Sequence, residues 1–350
     1  MSVFDHPEFA SHEQVAFCHD EETGLKAIIA VHNTHLGPGL GGCRMWNYAN
    51  SHEALTDVLR LSKGMTYKAA MAGLQQGGGK AVIIGDPRNH KTADMMAAMG
   101  RFVDTFKGKY ITAEDSGISV SDILTMGQHT EHVGGTFSKY SFDGSPADGN
   151  PAPATAYGVF VGLQAAVRHR FGSDLSGKTV AIKGVGHVGL RLAEHLYKAG
   201  ARLFVADIFP EGLDRAVNEY GATAVSVDEI DALDVDVFAP CALGNAINAD
   251  NISNINAKVI AGAANNQLAS DEMGKILAQK GILYAPDYVI NAGGIIDIFH
   301  QRTESNAENL KAHLERIGET LSRIFDQAAE TGQATAQVAD EMAESRFQKS

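Results

Sequence analysis

The stretch Lys178-Thr179-Val180-Ala181-Ile182-Lys183-Gly184-Val185-Gly186-His187-Val188-Gly189 decides the fold of the second half of the chain. Residues 178–183 form the short apolar run of a buried strand, three spaced glycines follow directly, and residues 190–198 read as a helix. The next β-type run, residues 202–206, ends in Asp207, 18 positions past Gly189. A lone G-x-G-x-x-G is a weak signal. With a strand before it, a helix behind it and an acid at that distance, it reads as a dinucleotide-binding unit. Gly184, Gly186 and Gly189, with His187 and Val188 between them, would present helix amides to a pyrophosphate. Asp207 would accept hydrogen bonds from an adenosine ribose and repel a 2′-phosphate, which favours NAD over NADP. Further β-type runs at 235–239, 259–263 and 282–285 extend the sheet. Small-residue segments at 240–244 and 262–266 end two of them, where a doubly wound sheet binds its ligand, and Asn291-Ala292-Gly293-Gly294 opens a helix.

Before this unit, residues 134–153 are dense in turn formers and mark a domain boundary or a loop over a site. A chain of 350 residues is long for one core. The expected organisation is therefore α/β in two domains, residues 1–150 and 151–330. A helix starting near Thr155 carries Val159, Phe160, Leu163 and Val167 on one face. The tail, 305–347, is helical and charged, and its last part, about 330–350, is expected to pack back on the first domain or on another subunit.

The first half centres on Leu74-Gln75-Gln76-Gly77-Gly78-Gly79-Lys80-Ala81-Val82-Ile83-Ile84-Gly85-Asp86-Pro87. Three glycines would let a ligand lie against bare backbone, with 81–84 as a buried strand. Lys80, pinned between the two, is poorly solvated and suited to proton chemistry. The alternative is a glycine turn whose lysine reaches back to water. Gly37 to Gly42 is a second glycine-rich stretch that demands close backbone approach or positive φ. Asn50 caps a helix striped by Leu55, Val58, Leu59, Ser62 and Met65, and Lys68 extends the stripe towards the core side. Thr92 caps another, with Met95, Met96, Met99, Phe102, Val103 and Phe106 inward. Residues 110–115 form a strand ending in Glu114 and Asp115, carboxylates at a strand end that face a working crevice or cap the helix near Ser119. Two lysines and a carboxylate suit a substrate that carries a carboxylate, one ammonium holding it while the other does proton chemistry.

The net charge of −13 argues against nucleic acid or an anionic membrane as partner. Cys18, Cys43 and Cys241 are too scattered for a disulfide framework or a zinc site, and the pairs His12/His19 and His129/His132 lack a third ligand, so no metal is expected. The N-terminus has no signal-peptide pattern and no apolar run reaches membrane-span length, so a reducing cytoplasm is the expected compartment.

Residues 74–87 resemble, in glycine spacing, lysine and closing Asp-Pro, the active-site signature of the glutamate, leucine, phenylalanine and valine dehydrogenases. Leu36-Gly37-Pro38 through Gly41-Gly42, Thr66-Tyr67-Lys68, Thr112-Ala113-Glu114-Asp115, Thr155-Ala156-Tyr157-Gly158 and Tyr284-Ala285-Pro286-Asp287-Tyr288 are similar to the leucine dehydrogenase branch. The resemblance implies an N-terminal α/β substrate domain, a Rossmann-type NAD domain and an active site in the cleft between them. It implies oxidative deamination of an L-amino acid by NAD+. By resemblance, Lys68 binds the substrate carboxylate, Lys80 activates water, Asp115 relays protons, and Gly41 and Asn266 complete the cradle. Thr155 and Asn291 orient the nicotinamide, and Leu40, Ala113, Ile295 and Ile298 line the side-chain pocket. His187, Cys43 and Asn265 depart from the usual branch residues, and none removes a catalytic group. An apolar pocket disfavours glutamate and suits leucine, valine or isoleucine. Phenylalanine or tryptophan dehydrogenase is the near alternative; another NAD-dependent reductase or a non-catalytic nucleotide sensor is the distant one. The family's hexamers and octamers imply a large homo-oligomer.

Overall fold

The computed structural model describes residues 2–136, 140–141, 144, 150–242 and 244–348. Much of the turn-rich stretch expected as a boundary (137–139, 142–143, 145–149) and Leu243 of the 240–244 segment lie outside them.

The first half runs β1 (Gln14–Asp20), β2 (Leu25–Asn33), β3 (Gly39–Trp46), α1 (Ser51–Met71), β4 (Gly77–Ile84), α2 (Ala93–Asp104), β5 (Tyr110–Ala113) and α3 (Val120–Met126). Its five strands lie in the order β1-β2-β4-β3-β5, antiparallel from β1 through β4 and parallel from β4 to β5. The central strand β4 is buried over all but its last residue, as a strand covered on both faces must be. One face packs Met96, Met99, Phe102 and Val103 of α2 on Ile29, Ala81 and Ile83; the other packs Val58 and Leu59 of α1 on Ile28, Ala30 and Val82. Asn50 and Thr92 cap α1 and α2 through the amides of Glu53 and Met95. Two strands of this half escaped the sequence reading. β1 is a half-exposed edge with little patterning, and β3 is hidden in the second glycine-rich stretch, where Gly37 alone among those glycines has positive φ, at 142°.

The second half runs α4 (Ala152–Phe171), β6 (Thr179–Lys183), α5 (His187–Lys198), β7 (Arg202–Ala206), α6 (Pro210–Tyr220), β8 (Thr223–Ala224), β9 (Val237–Pro240), β10 (Val259–Ile260), α7 (Asp271–Gln279), β11 (Leu283–Tyr284), α8 (Asp287–Ile290), α9 (Gly293–Arg302), α10 (Ala307–Thr331) and α11 (Thr335–Phe347). The six strands are parallel in the order β11-β10-β9-β6-β7-β8, a doubly wound sheet whose direction of growth reverses between β6 and β9. Helices α4 and α5 start about three residues before their expected positions, because Pro151 and Gly186 open the first turn.

An apolar cluster joins the halves: Leu40, Met71 and Leu74 from the first share it with Val159, Leu163, Ile295 and Leu321 from the second. The terminal helix α11 lies on α1, where Tyr67 donates to Glu344 (2.6 Å) and Arg346 donates to the carbonyls of Ala70 and Met71 (2.8 and 3.1 Å). The Arg346 bonds engage carbonyls of the last turn of α1, which the helix itself cannot fully satisfy. Among the described residues no helix is long and apolar enough to cross a membrane.

Candidate active site

Parallel pairing places Leu40 opposite Gly78, Gly41 opposite Thr112, and Gly42 opposite Ala113, so the three strand segments singled out in the sequence lie side by side. The glycines are there for packing between these elements. A Cβ on Gly77 would overlap the carbonyl of Asn33, one on Gly78 the amide of Thr66 in α1, and one on Gly79 the Tyr110 ring at 2.6 Å. The bare backbone expected for a ligand is therefore covered by the protein itself, and 77–80 is strand rather than turn. Gly42 does serve the site: a Cβ there would lie 2.7 Å from Asp115 Cβ.

Lys80 is buried on β4 and its Nζ lies 2.5 Å from Asp115 Oδ2. The same oxygen meets Arg44 Nε of β3 at 3.3 Å. Burial pushes the Asp115 carboxyl up, but the Lys80 and Arg44 charges outweigh it and hold the group at about 2. Asp115 does not cap α3. That is done by Ser119, in a capping box with Asp122.

Lys68 leaves α1 towards the second half, and its Nζ donates to Asn265 Oδ1 at 3.1 Å. Burial lowers its pKa to about 8, the nearby Lys80 charge adding to the effect and Asp287 opposing it. Asp287 is itself pushed up by burial, although its carboxylate accepts from the amides of Gln267 and Tyr288 (3.0 and 2.7 Å). Asn265 Oδ1 also accepts from Asn291 Nδ2 at 2.9 Å, and Asn291 Nδ2 reaches the carbonyl of Ala263 at 3.1 Å. Asn291 Oδ1 is buried with no partner. Asn266, beside Asn265, is exposed and held at φ 51°. Strained backbone of this kind concentrates at binding sites.

The glycine loop caps β6. Gly184 has φ 100°, and a Cβ there would lie 2.7 Å from the amide of Ala242. A Cβ on Gly189 would overlap the Gly184 carbonyl, so the third glycine lets α5 close on the turn. A Cβ on Gly186 would meet nothing within 4 Å, which leaves open space over the start of α5. His187 is exposed there and Val188 is half-buried. Asp207 accepts from the amides of Val185 (2.7 Å) and Phe209 (3.0 Å), so its carboxylate ties the glycine loop to the end of β7. Thr155 lies in the first turn of α4, donating to Pro151 O at 2.9 Å, and its Oγ1 would be 3.1 Å from a Cβ on Gly294.

Of the expected pocket residues, Leu40, Ala113 and Ile295 are buried at 1%, 2% and 5% exposure, and Ile298 is partly buried. Leu40 and Ile295 share one cluster, and Ile298 packs against it. A Cβ on Gly135 would lie 3.5 Å from Ile298 Cδ1 and 4.0 Å from Ala113 Cβ, so the two flank one glycine. The sequence reading missed the roles of Arg44, Asp57, Asn265 and Asp287. Asn265 follows a strand end and was within reach of that signal; Arg44 and Asp57 meet only through the packing of β3 on α1.

A model of the Glu/Leu/Phe/Val dehydrogenase dimerisation domain matches residues 12–136, and one of the glutamate/leucine/phenylalanine/valine dehydrogenases matches 149–207 and 210–348. A leucine dehydrogenase of Thermoactinomyces intermedius is 48% identical over 349 residues, 99% of this chain and 94% of that one. An L-tryptophan dehydrogenase of Nostoc punctiforme is 46% identical, with 100% and 97% covered. The crystal structure of L-tryptophan dehydrogenase from Nostoc punctiforme superposes with a TM-score of 0.83 at 45% identity, covering 96% of each chain. With both family models spanning nearly the whole chain, and relatives of this identity at full length, the protein belongs to the Glu/Leu/Phe/Val dehydrogenase family and is an amino acid dehydrogenase, an oxidoreductase.

Proposed function

We propose that the protein catalyses the NAD-dependent, reversible oxidative deamination of a branched-chain aliphatic L-amino acid, leucine first and then valine and isoleucine, to its 2-oxo acid and ammonium. The observation that supports the substrate class is the apolar character and burial of Leu40, Ala113 and Ile295, with Ile298 packed against Leu40 and Ile295 in one cluster. A second carboxylate buried there would find no cation among those four side chains, and that disfavours glutamate.

Two features of the chain fit a nicotinamide dinucleotide. The open side of Gly186 leaves the α5 amides accessible to a pyrophosphate. Asn291 Oδ1, buried and unpartnered, suits a carboxamide N–H, with Thr155 beside it across Gly294. Asp207 fits the ribose hydroxyls of NAD and opposes the 2′-phosphate of NADP. The dinucleotide supplies a hydride acceptor at the substrate Cα.

The protein's own groups do the rest. Lys68 holds the substrate carboxylate, with Gly41 and Asn266 shaping the cradle. Asp115 takes a proton from the substrate ammonium, which frees the nitrogen lone pair to drive hydride loss. Lys80, having released its own proton to solvent, then takes a proton from the water that adds to the iminium carbon; Asp115 returns its proton to the nitrogen and accepts the hydroxyl proton of the adduct as the carbonyl forms and ammonia leaves. The 2.5 Å Lys80–Asp115 contact supports this division, since a proton can pass between such groups without either leaving its place. Residues 1–150 form the substrate domain and 151–330 the cofactor domain in this reading, in a homo-oligomer of up to eight copies.

An aromatic substrate is the second reading, favoured by the 46% identity to the tryptophan dehydrogenase. NADH formation at alkaline pH with leucine, valine, isoleucine, phenylalanine, tryptophan and glutamate, each with NAD+ and NADP+, separates the two. Turnover led by the aliphatic acids and NAD+ is the expected result. An aromatic lead would overturn the pocket reading, and equal rates with NADP+ would remove the Asp207 argument.

A further inference from the structure

Arg44 is held by Asp57 and faces Asp115: Nη1 donates to Asp57 Oδ2 in α1 at 3.0 Å, and Nε lies 3.3 Å from Asp115 Oδ2, an ion-pair contact without hydrogen-bond geometry. That Asp57 oxygen also accepts from the Tyr48 hydroxyl at 2.6 Å. Asp115 sits two residues past the end of β5, in a turn closed by the amide of Ile118 on its carbonyl, so the strand itself does not fix its side chain. Lys80 is a point charge on a flexible stem, and the proposed reaction engages it with water. Arg44 is planar and tied down by Asp57, so it sets a fixed charge beside the same oxygen from β3.

We propose that Arg44 is a positioning residue for the dehydrogenase reaction: anchored by Asp57 and Tyr48, it keeps the Asp115 carboxylate ionised and aimed at Lys80. The inference rests on the reading of Lys80 and Asp115 as the reacting pair. The titratable groups around Asp115 are Cys43, Arg44 and Tyr48 on β3 and the segment after it, Lys68 of α1, Lys80 of β4 and Tyr110 of β5. Lys80 and Arg44 are the two cations in direct contact with the carboxylate. Loss of Arg44 removes one of them, so Asp115 protonates at higher pH.

Arg44, Asp57, Tyr48 and Ser116 also line a solvent-open cavity of about 390 Å³ that Lys80 does not border. A truncated Arg44 therefore leaves a hole that a free guanidinium ion can enter, which makes the proposal testable by rescue. Arg44→Ala is expected to lower kcat about 10- to 100-fold with KM changed less than about twofold. The acid limb of its kcat/KM profile moves to higher pH. Guanidinium chloride at tens of millimolar restores part of kcat and draws the limb back, whereas equal urea or sodium chloride does not. Asp57→Asn shows a smaller shift of the same limb. If Arg44→Ala does not fold, Arg44→Lys keeps the charge but loses the planar bridge, and is expected to lower kcat at wild-type melting temperature with the acid limb close to wild type. A wild-type acid limb and kcat in a folded Arg44 variant overturns the proposal, as does equal rescue by urea. Asp115→Asn separates the two layers: if it turns over like wild type, the underlying role of Asp115 fails whatever Arg44 does.

Discussion

Gly186 and Gly189 lie three residues apart in one loop, yet the structure gives their alanine variants opposite consequences. At Gly186 the backbone has φ −73° and ψ −154°, and an added methyl would meet nothing within 4 Å. The fold has no reason to resist it. Removing a glycine from the unfolded chain stabilises by about 0.4–1 kcal/mol where the native dihedrals suit alanine. The methyl would instead stand in the open space proposed for the pyrophosphate. Losing one charge-assisted amide contact costs about 1.5–3 kcal/mol, a dissociation constant weaker by roughly 10- to 100-fold. At Gly189 the methyl would overlap the Gly184 carbonyl oxygen and lie 3.0 Å from its carbon. Both are backbone atoms, so α5 must withdraw from the β6 turn by roughly 1 Å, at a cost of about 1–3 kcal/mol or more. That corresponds to a melting temperature lower by roughly 2–12 °C for domains of this size. Thermal melts and NADH fluorescence titrations of the two variants read both quantities. Gly186→Ala binding NADH as wild type would move the dinucleotide off this loop. Gly189→Ala melting at the wild-type temperature would refute the packing argument.

Three more outcomes follow from buried polar groups. Lys68 is charged below about 8 and must be charged to hold a carboxylate, so the affinity for a 2-oxo acid in the presence of NADH should fall as pH rises through about 8; Lys68→Ala should raise KM more than it lowers kcat, and a flat affinity from pH 7 to 9.5 would contradict the assignment. Gln76 is 2% exposed and neither atom of its amide has a partner, so Gln76→Leu should raise stability by about 1–3 kcal/mol in denaturant titration; a destabilised variant would reveal a partner for the amide. His300 and His313 share a ring-to-ring hydrogen bond and His313 donates to Ala72 O at 2.7 Å, a chain that cannot hold with both rings charged. Burial lowers both, His300 to about 4, so the unfolded chain protonates first and stability present above pH 6.5 is lost as pH falls towards 4. His313→Gln, which keeps a donor and an acceptor, should flatten that part of the melting profile, and an unchanged slope would exclude the pair as its source.

Much of the protein was legible without coordinates, because the legible parts are set by residues close together in the chain. Asn50 and Thr92 cap their helices through amides three residues away, and Gly184, Gly186 and Gly189 shape a turn between a strand and helix that adjoin them. The distance to Asp207 is likewise a property of one β-α-β unit. The glycines of β4 could be read as special but not for the right reason: the groups that forbid their side chains are Asn33, Thr66 and Tyr110, which only strand register and the seating of α1 bring near. The same holds for the site. Lys68 and Asn265 are 197 positions apart, and Arg44 meets Asp57 and Asp115 through three separate elements. The sequence by itself determined the layered α/β architecture and the glycine turn between β6 and α5, since local dihedrals and periodic burial encode them. Tertiary structure alone decided which charges touch, which glycines face protein and which face open space, because those depend on how distant surfaces fit together.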